Sequence, residues 1–160
     1  MKTFQKTYLL FFTVITVLFI SSCSSDDNNT PPAVEPDSFF IKFKANDAQQ
    51  NFTDITIVNS LSKAIIGNDE NQTKTVVITI PLNAVAGTYT ITDEPSNVNS
   101  YGILYSSDNE SISTSNATGT LVITEINDNI IKGTFNFTAE NTDSGPATIT
   151  VIEGEFNVEN

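Results

Sequence analysis

From Ser38 onward the apolar residues never hold a 3.6-residue period for more than two turns; short β-branched and aromatic runs recur instead between clusters of Asn, Asp, Gly and Ser. Alternation with period two buries one face of a strand, whereas a helix needs apolar positions three and four apart. The pattern therefore predicts an all-β domain, with strands at 39–44, 53–59, 64–66, 75–80, 87–92, 101–106, 119–126, 130–140 and 147–158. The clearest unit is a hairpin in which 120–126 runs into Asn127-Asp128-Asn129, residues that tolerate tight turns, and returns from Ile130. On the returning strand Ile131, Gly133, Phe135, Phe137 and Ala139 share the core face, and Lys132, Thr134, Asn136 and Thr138 share the wet one.

The last strand changes parity. Ile149 and Val151 are odd but Phe156 and Val158 are even, so an extra residue must be absorbed near Ile152-Glu153-Gly154, as a β-bulge does. Gly133-Thr134-Phe135-Asn136-Phe137 and Gly154-Glu155-Phe156-Asn157-Val158 repeat one pattern, in which each glycine leaves bare backbone for a neighbouring aromatic ring. Two copies are too few for a solenoid. Antiparallel strands joined by short polar turns predict a two-sheet β-sandwich, with a partly open β-barrel as the alternative.

The first 37 residues follow a different pattern. Lys2 and Lys6 precede an apolar run over 8–20, which reads as a secretory signal and is too short to cross a bilayer, since that takes about twenty residues. Ile20-Ser21-Ser22-Cys23 then resembles the bacterial lipobox. That resemblance implies cleavage of a lipoprotein signal peptide, 1–22, diacylglycerol on the Cys23 thiol, and acylation of the new amine. At about 0.8 kcal/mol per buried methylene, three acyl chains hold a membrane far more firmly than one. Ser24-Ser25-Asp26-Asp27 resembles the export signal that sends Bacteroidota lipoproteins to the cell surface, which implies an outer-membrane lipoprotein facing outward, with a periplasm-facing one as the alternative. Residues 24–37 are Ser, Asp, Asn and Pro with almost nothing apolar, so 23–37 is expected to be a lipidated cysteine on a disordered tether with an rms span of about 20 Å. Residues 38–160 then form a single domain of ordinary size.

Composition narrows the chemistry. The chain has no His, Arg or Trp, which removes the usual general base, the bidentate anion clamp and the best sugar-stacking ring. Its net charge of −12 becomes −14 once Lys2 and Lys6 leave with the signal, and such a surface repels nucleic acid. The single cysteine forbids an intramolecular disulfide, and the lipobox gives it another role.

The remaining candidates are few. Tyr101, Ile103 and Tyr105 share one strand face, for which packing in the core or on the sheet is the expectation and a glycan or peptide platform the alternative. Asp69-Glu70, Asp93-Glu94 and Asp108-Asn109-Glu110 fall in loops, where calcium finds its oxygen ligands; none has the spacing of a calcium loop, so solvated turns and no cofactor are expected, with a calcium site shared between two loops as the alternative. Ser60-Leu61-Ser62-Lys63 and Ser107-Asp108-Asn109 match fragments of penicillin-recognising enzymes, but Lys74-Thr75-Val76 precedes the second fragment and lacks its glycine. The six Asn-x-Ser/Thr matches follow from composition and imply no glycosylation.

Taken with Ala86-Gly87-Thr88-Tyr89, the Phe-rich first strand and the paired Gly-x-Phe strands, the lipobox and Asp/Asn tether resemble a family of small Bacteroidota lipoproteins catalogued as a domain of unknown function. Phe52 stands where such families commonly have Trp. The resemblance implies a fold and a location and brings no catalytic residue. The expected function is a non-catalytic binding module holding a partner protein or glycan, not an enzyme. A self-assembling envelope component is the alternative, and a hydrolase with unassigned carboxylates comes third.

Overall fold

The structure is a computed structural model and describes residues 38–92 and 98–160. Its ten strands are β1 (Phe40–Ala45), β2 (Ala48–Phe52), β3 (Asp54–Asn59), β4 (Lys63–Asn68), β5 (Lys74–Ile80), β6 (Gly87–Ile91), β7 (Gly102–Ser107), β8 (Ile112–Ile126), β9 (Ile130–Asn141) and β10 (Thr148–Glu159). A single 3-10 turn, Asp108–Glu110, joins β7 to β8. The ladders are antiparallel and run in the order β2-β1-β10-β9-β8-β7-β5-β4-β3, with β6 added alongside β8.

The two strands at the ends of this order, β2 and β3, are consecutive in the chain and separated by Thr53 alone. They form one strand bent at a corner, whose first half pairs with β1 and whose second half pairs with β4. The all-β expectation holds, and of the two arrangements weighed the sheet adopts a nearly closed barrel. The ladders shift register at three places, one of them between Ile123 and Glu125, and the other two carry a left-handed residue. Glu153 sits at φ 55° where β10 shifts register against both β1 and β9, at the place where the parity change required it. Asn116 sits at φ 51° in β8, which pairs with β7 before that point and with β6 after it.

The inward faces fill the barrel. On β9, Ile131, Phe135, Phe137 and Ala139 are buried, while Thr134, Asn136 and Thr138 are exposed, as the alternation predicts. The Phe43 ring lies at the centre, 5.5 Å from Phe52, 5.2 Å from Tyr105 and 5.7 Å from Phe135, and so ties β1 to strands on both sides of the corner. Gly133 pairs with Phe156 and Gly154 with Phe135, each ring lying over the opposite glycine.

Two stretches form strands where the pattern predicted none. β2 reads Ala-Gln-Gln-Asn-Phe; its inward positions are Gln50 and Phe52, and a buried glutamine breaks the apolar alternation. Its turn from β1 is a two-residue one, with Asn46 and Asp47 both left-handed (φ 46° and 67°), which suits the twist of a hairpin. The first half of β8 is mostly Ser and Thr, with Thr114 taking a core position.

Candidate binding surface

On β7, Tyr105 offers no platform to solvent. Tyr105 is only 1% exposed and packs edge-on against Phe43 in the core. Tyr101 stacks face to face on Tyr89 at 3.8 Å and 11°, and the half-buried pair packs against the core. The reason is parity. Tyr101, Ile103 and Tyr105 do share a face, but it is the inward one. Burial pushes the Tyr101 hydroxyl up to about 12, with help from its hydrogen bond to Tyr89. Burial also pushes Tyr105 up to about 12, assisted by the charge of Glu110. Both phenols stay neutral at physiological pH, and neither serves as a base.

At the end of the barrel holding Tyr105, Lys74 Nζ binds Gln50 Oε1 at 3.0 Å and Glu110 Oε1 at 2.6 Å. Asp69 accepts the backbone N–H groups of Thr73 (2.7 Å) and Lys74 (2.8 Å), and the Lys74 bond leads in holding its carboxyl below the usual range. Asp69 thereby shapes the β4–β5 turn, and Glu110 ties the β7–β8 turn to Lys74. Among the described residues no group of three or more Cys, Asp or Glu is placed to hold a metal. The hydroxyls of Tyr105 and Ser107 are buried without a partner at hydrogen-bond geometry, although Ser107 lies close enough to draw the Tyr105 pKa slightly back down.

Lys63 donates to Asn160 Oδ1, and burial lowers its pKa. It stands at the opposite end of β4 from Asp69, six residues or about 20 Å away along the strand. The Ser60–Lys63 fragment and the Ser107–Asn109 fragment therefore lie at opposite ends of the barrel and form no common site. Cys23, Ile20, Ser21, Ser22, Ser24, Ser25, Asp26 and Asp27 lie outside the described residues, as do Asp93 and Glu94.

The unexpected feature is on the outside. Across β3-β4-β5-β7 two outward rows run Val58, Ala64, Thr79, Gly102 and Thr56, Ile66, Val77, Leu104. Val58 and Leu104 are each 46% exposed, and Ala64, Ile66 and Val77 are half-buried between them. The outward row of β9, by contrast, reads Lys132, Thr134, Asn136, Thr138 and Glu140. The sequence carried a signal for this: β4 and β5 contain Ala-Ile-Ile and Val-Val-Ile-Thr-Ile runs that are apolar on both faces.

Two hollows flank this face. Beside β7 lies a groove of about 220 Å³, lined by Ser62, Thr79, Thr92, Gly102, Leu104 and Ala117. It opens where β7 leaves β8, since only Ser106 and Ser107 pair across. Thr114 Oγ1 stands in for the missing ladder by accepting the Tyr105 N–H at 2.7 Å and donating to the Tyr105 C=O at 2.9 Å. Beside β3 lies a crevice of about 320 Å³, lined by Phe39, Thr53, Ile55, Ile57, Glu159 and Asn160.

A family model described as Domain of unknown function (DUF6252) matches residues 35–158, which takes in all ten strands to within one residue of the end of β10. The chain belongs to the DUF6252 family. No significant match was found among curated proteins, and none among solved structures. The DUF6252 match covers the barrel, while residues 20–27 precede it. The DUF6252 description assigns no activity, so the chemistry of the domain rests on its own geometry.

Proposed function

We propose that this DUF6252 domain is a non-catalytic binding module, anchored through lipidated Cys23 to the outer membrane and displayed at the cell surface, that holds a partner protein on the outward face of β3-β4-β5-β7. The observation that carries this reading is the mostly apolar pair of rows from Val58 to Leu104, in contrast with the polar outward row of β9. Contiguous exposed apolar surface is costly to keep in water and marks interaction sites. An apolar face without an exposed aromatic ring suits a protein better than a glycan. The lipobox residues Ile20, Ser21 and Ser22 and the Ser24-Ser25-Asp26-Asp27 stretch support the anchoring and the surface address.

A photo-crosslinking residue placed at Leu104 or, as control, at Asn136 tests the face in intact cells. Adducts at position 104 and none at 136 are expected. Adducts at both positions or at neither overturn the reading, and an adduct of twice the chain's own mass replaces it with self-assembly. Protease shaving of the same cells tests the address: the wild type is digested and Asp26→Ala/Asp27→Ala is protected. If neither is digested, the domain faces the periplasm.

A further inference from the structure

Resting on the binding-module reading, we propose that the free edge of β3 takes an extended, lysine-bearing segment of the partner as an added antiparallel strand. The segment's alternate side chains enter the crevice beside Ile55 and Ile57.

β3 pairs only with β4, so one row of its backbone groups has no ladder among the described residues. Which row it is follows from the hairpin. Ser60 N–H bonds Ser62 C=O, and mutual bonds recur at every second pair, so Val58↔Ala64 and Thr56↔Ile66 exchange bonds. The N–H and C=O groups of Ile55 and Ile57 then point away from β4. The next ladder agrees. Asp69 N–H bonds Lys74 C=O, which makes the odd residues of β4 bond to β5 and leaves its even ones for β3.

Edge strands normally guard themselves with a lysine, a proline or a bulge. Within β3 there is none of these, and no residue from Asp54 to Asn59 has a positive φ. An unguarded edge with two outward-pointing amide pairs is a template for one more strand. The walls of the crevice suit alternate apolar side chains, because Ile55, Ile57 and Phe39 line it and successive same-face residues on a strand stand about 7 Å apart.

Charge sets the partner's sign. Glu110, Glu153 and Glu155 each carry a lysine, whereas Asp54, at the start of β3, and Glu159, on the crevice wall, have no ion pair among the described residues. A second copy of this chain from Cys23 onward would bring another Asp54 and a further −14, so like charge opposes self-pairing here and favours a cationic strand.

The test uses residues 23–160 carrying Cys23→Ser, ¹⁵N-labelled at low salt and titrated with acetyl-Lys-Val-Thr-Val-Thr-Lys-amide. Saturable amide shifts centred on Ile55 and Ile57 are expected. N-methylation of both valines, or Lys→Glu at both ends, should weaken binding at least tenfold, and Glu159→Gln in the chain a few-fold. Absent or scattered shifts, or equal binding of the N-methylated peptide, overturn the strand proposal. Concentration-dependent shifts at the same amides without peptide also overturn it, in favour of a second copy. Persisting adducts at position 104 would leave the binding module standing after such a failure, so the two readings fail separately.

Discussion

Replacing Gly154 with alanine separates two effects of opposite sign. Gly154 has no positive φ, so its backbone conformation is open to any residue, and alanine there should by itself stabilise the domain by about 0.5–1 kcal/mol through the unfolded chain. Against this, the new Cβ would lie 2.5 Å from Phe135 Cδ2, 2.6 Å from Phe135 Cε2 and 2.5 Å from the Phe135 carbonyl oxygen. The ring has little room to retreat, with Phe43, Phe137 and Phe156 centred 5.7, 6.4 and 6.3 Å away. Overpacking of this kind costs about 1–3 kcal/mol, enough to outweigh the gain. Mid-range values of about 2 kcal/mol lost and about 0.75 kcal/mol gained leave a net loss of roughly 1.25 kcal/mol, so at about 4 °C per kcal/mol the thermal midpoint of Gly154→Ala should fall by about 5 °C. The assay is reversible thermal unfolding followed by circular dichroism, repeated for Phe135→Leu and for the double variant. Removing the ring relieves part of the collision, so the double variant should be more stable than the sum of the single losses implies by about 0.5 kcal/mol or more. A neutral or stabilising Gly154→Ala would refute the close approach of ring to backbone on which the β9–β10 pairing rests.

Two further expectations follow. Thr114→Val keeps the shape but removes the hydroxyl that satisfies both backbone groups of Tyr105, so urea unfolding should show a loss of about 1–3 kcal/mol, while Thr114→Ser stays within about 1 kcal/mol of wild type; equal effects of the two would exclude the hydroxyl's role. Tyr101 and Tyr105 have folded pKa values raised to about 12 against an unfolded value near 10, so their contribution is fully present below pH 10 and is lost as pH rises towards 12. Spectrophotometric titration at 295 nm should therefore show these two phenols ionising only together with alkaline unfolding; their ionisation near pH 10 in the folded chain would contradict their burial.

Much of the barrel was legible because it depends on signals local to a strand. The parity break at Ile152–Gly154 located the bulge, and the spacing of Gly133 and Gly154 from their phenylalanines placed the rings over bare backbone before any pairing was known. The side on which the tyrosines lie was open for an equally local reason. β7 carries Ile103 and Tyr105 on one face and Leu104 on the other, so the strand's own alternation says which residues share a face without saying which face is the interior. β2 was missed because its core position holds Gln50, whose amide is satisfied by Lys74, a partner 24 residues away. The crevice beside β3 was beyond sequence reasoning altogether: it exists only because Phe39 and Glu159, from the two ends of the domain, come to lie beside Ile55 and Ile57.

The position of β1 between β2 and β10 sets the order of events in making this protein. Phe40 faces Asn157 and Ile41 faces Phe156 across more than a hundred residues, so the first strand has only one neighbour until the last has been delivered. Chains dominated by such distant pairings fold slowly, in milliseconds to seconds. A domain synthesised from its amino end therefore stays incomplete until the last strand has been made. It also makes the final dozen residues a closing element: truncation before Thr148 is expected to leave a chain with no stable barrel, detected as loss of protease resistance. A carboxy-terminal fusion would sit directly on the strand that locks the fold.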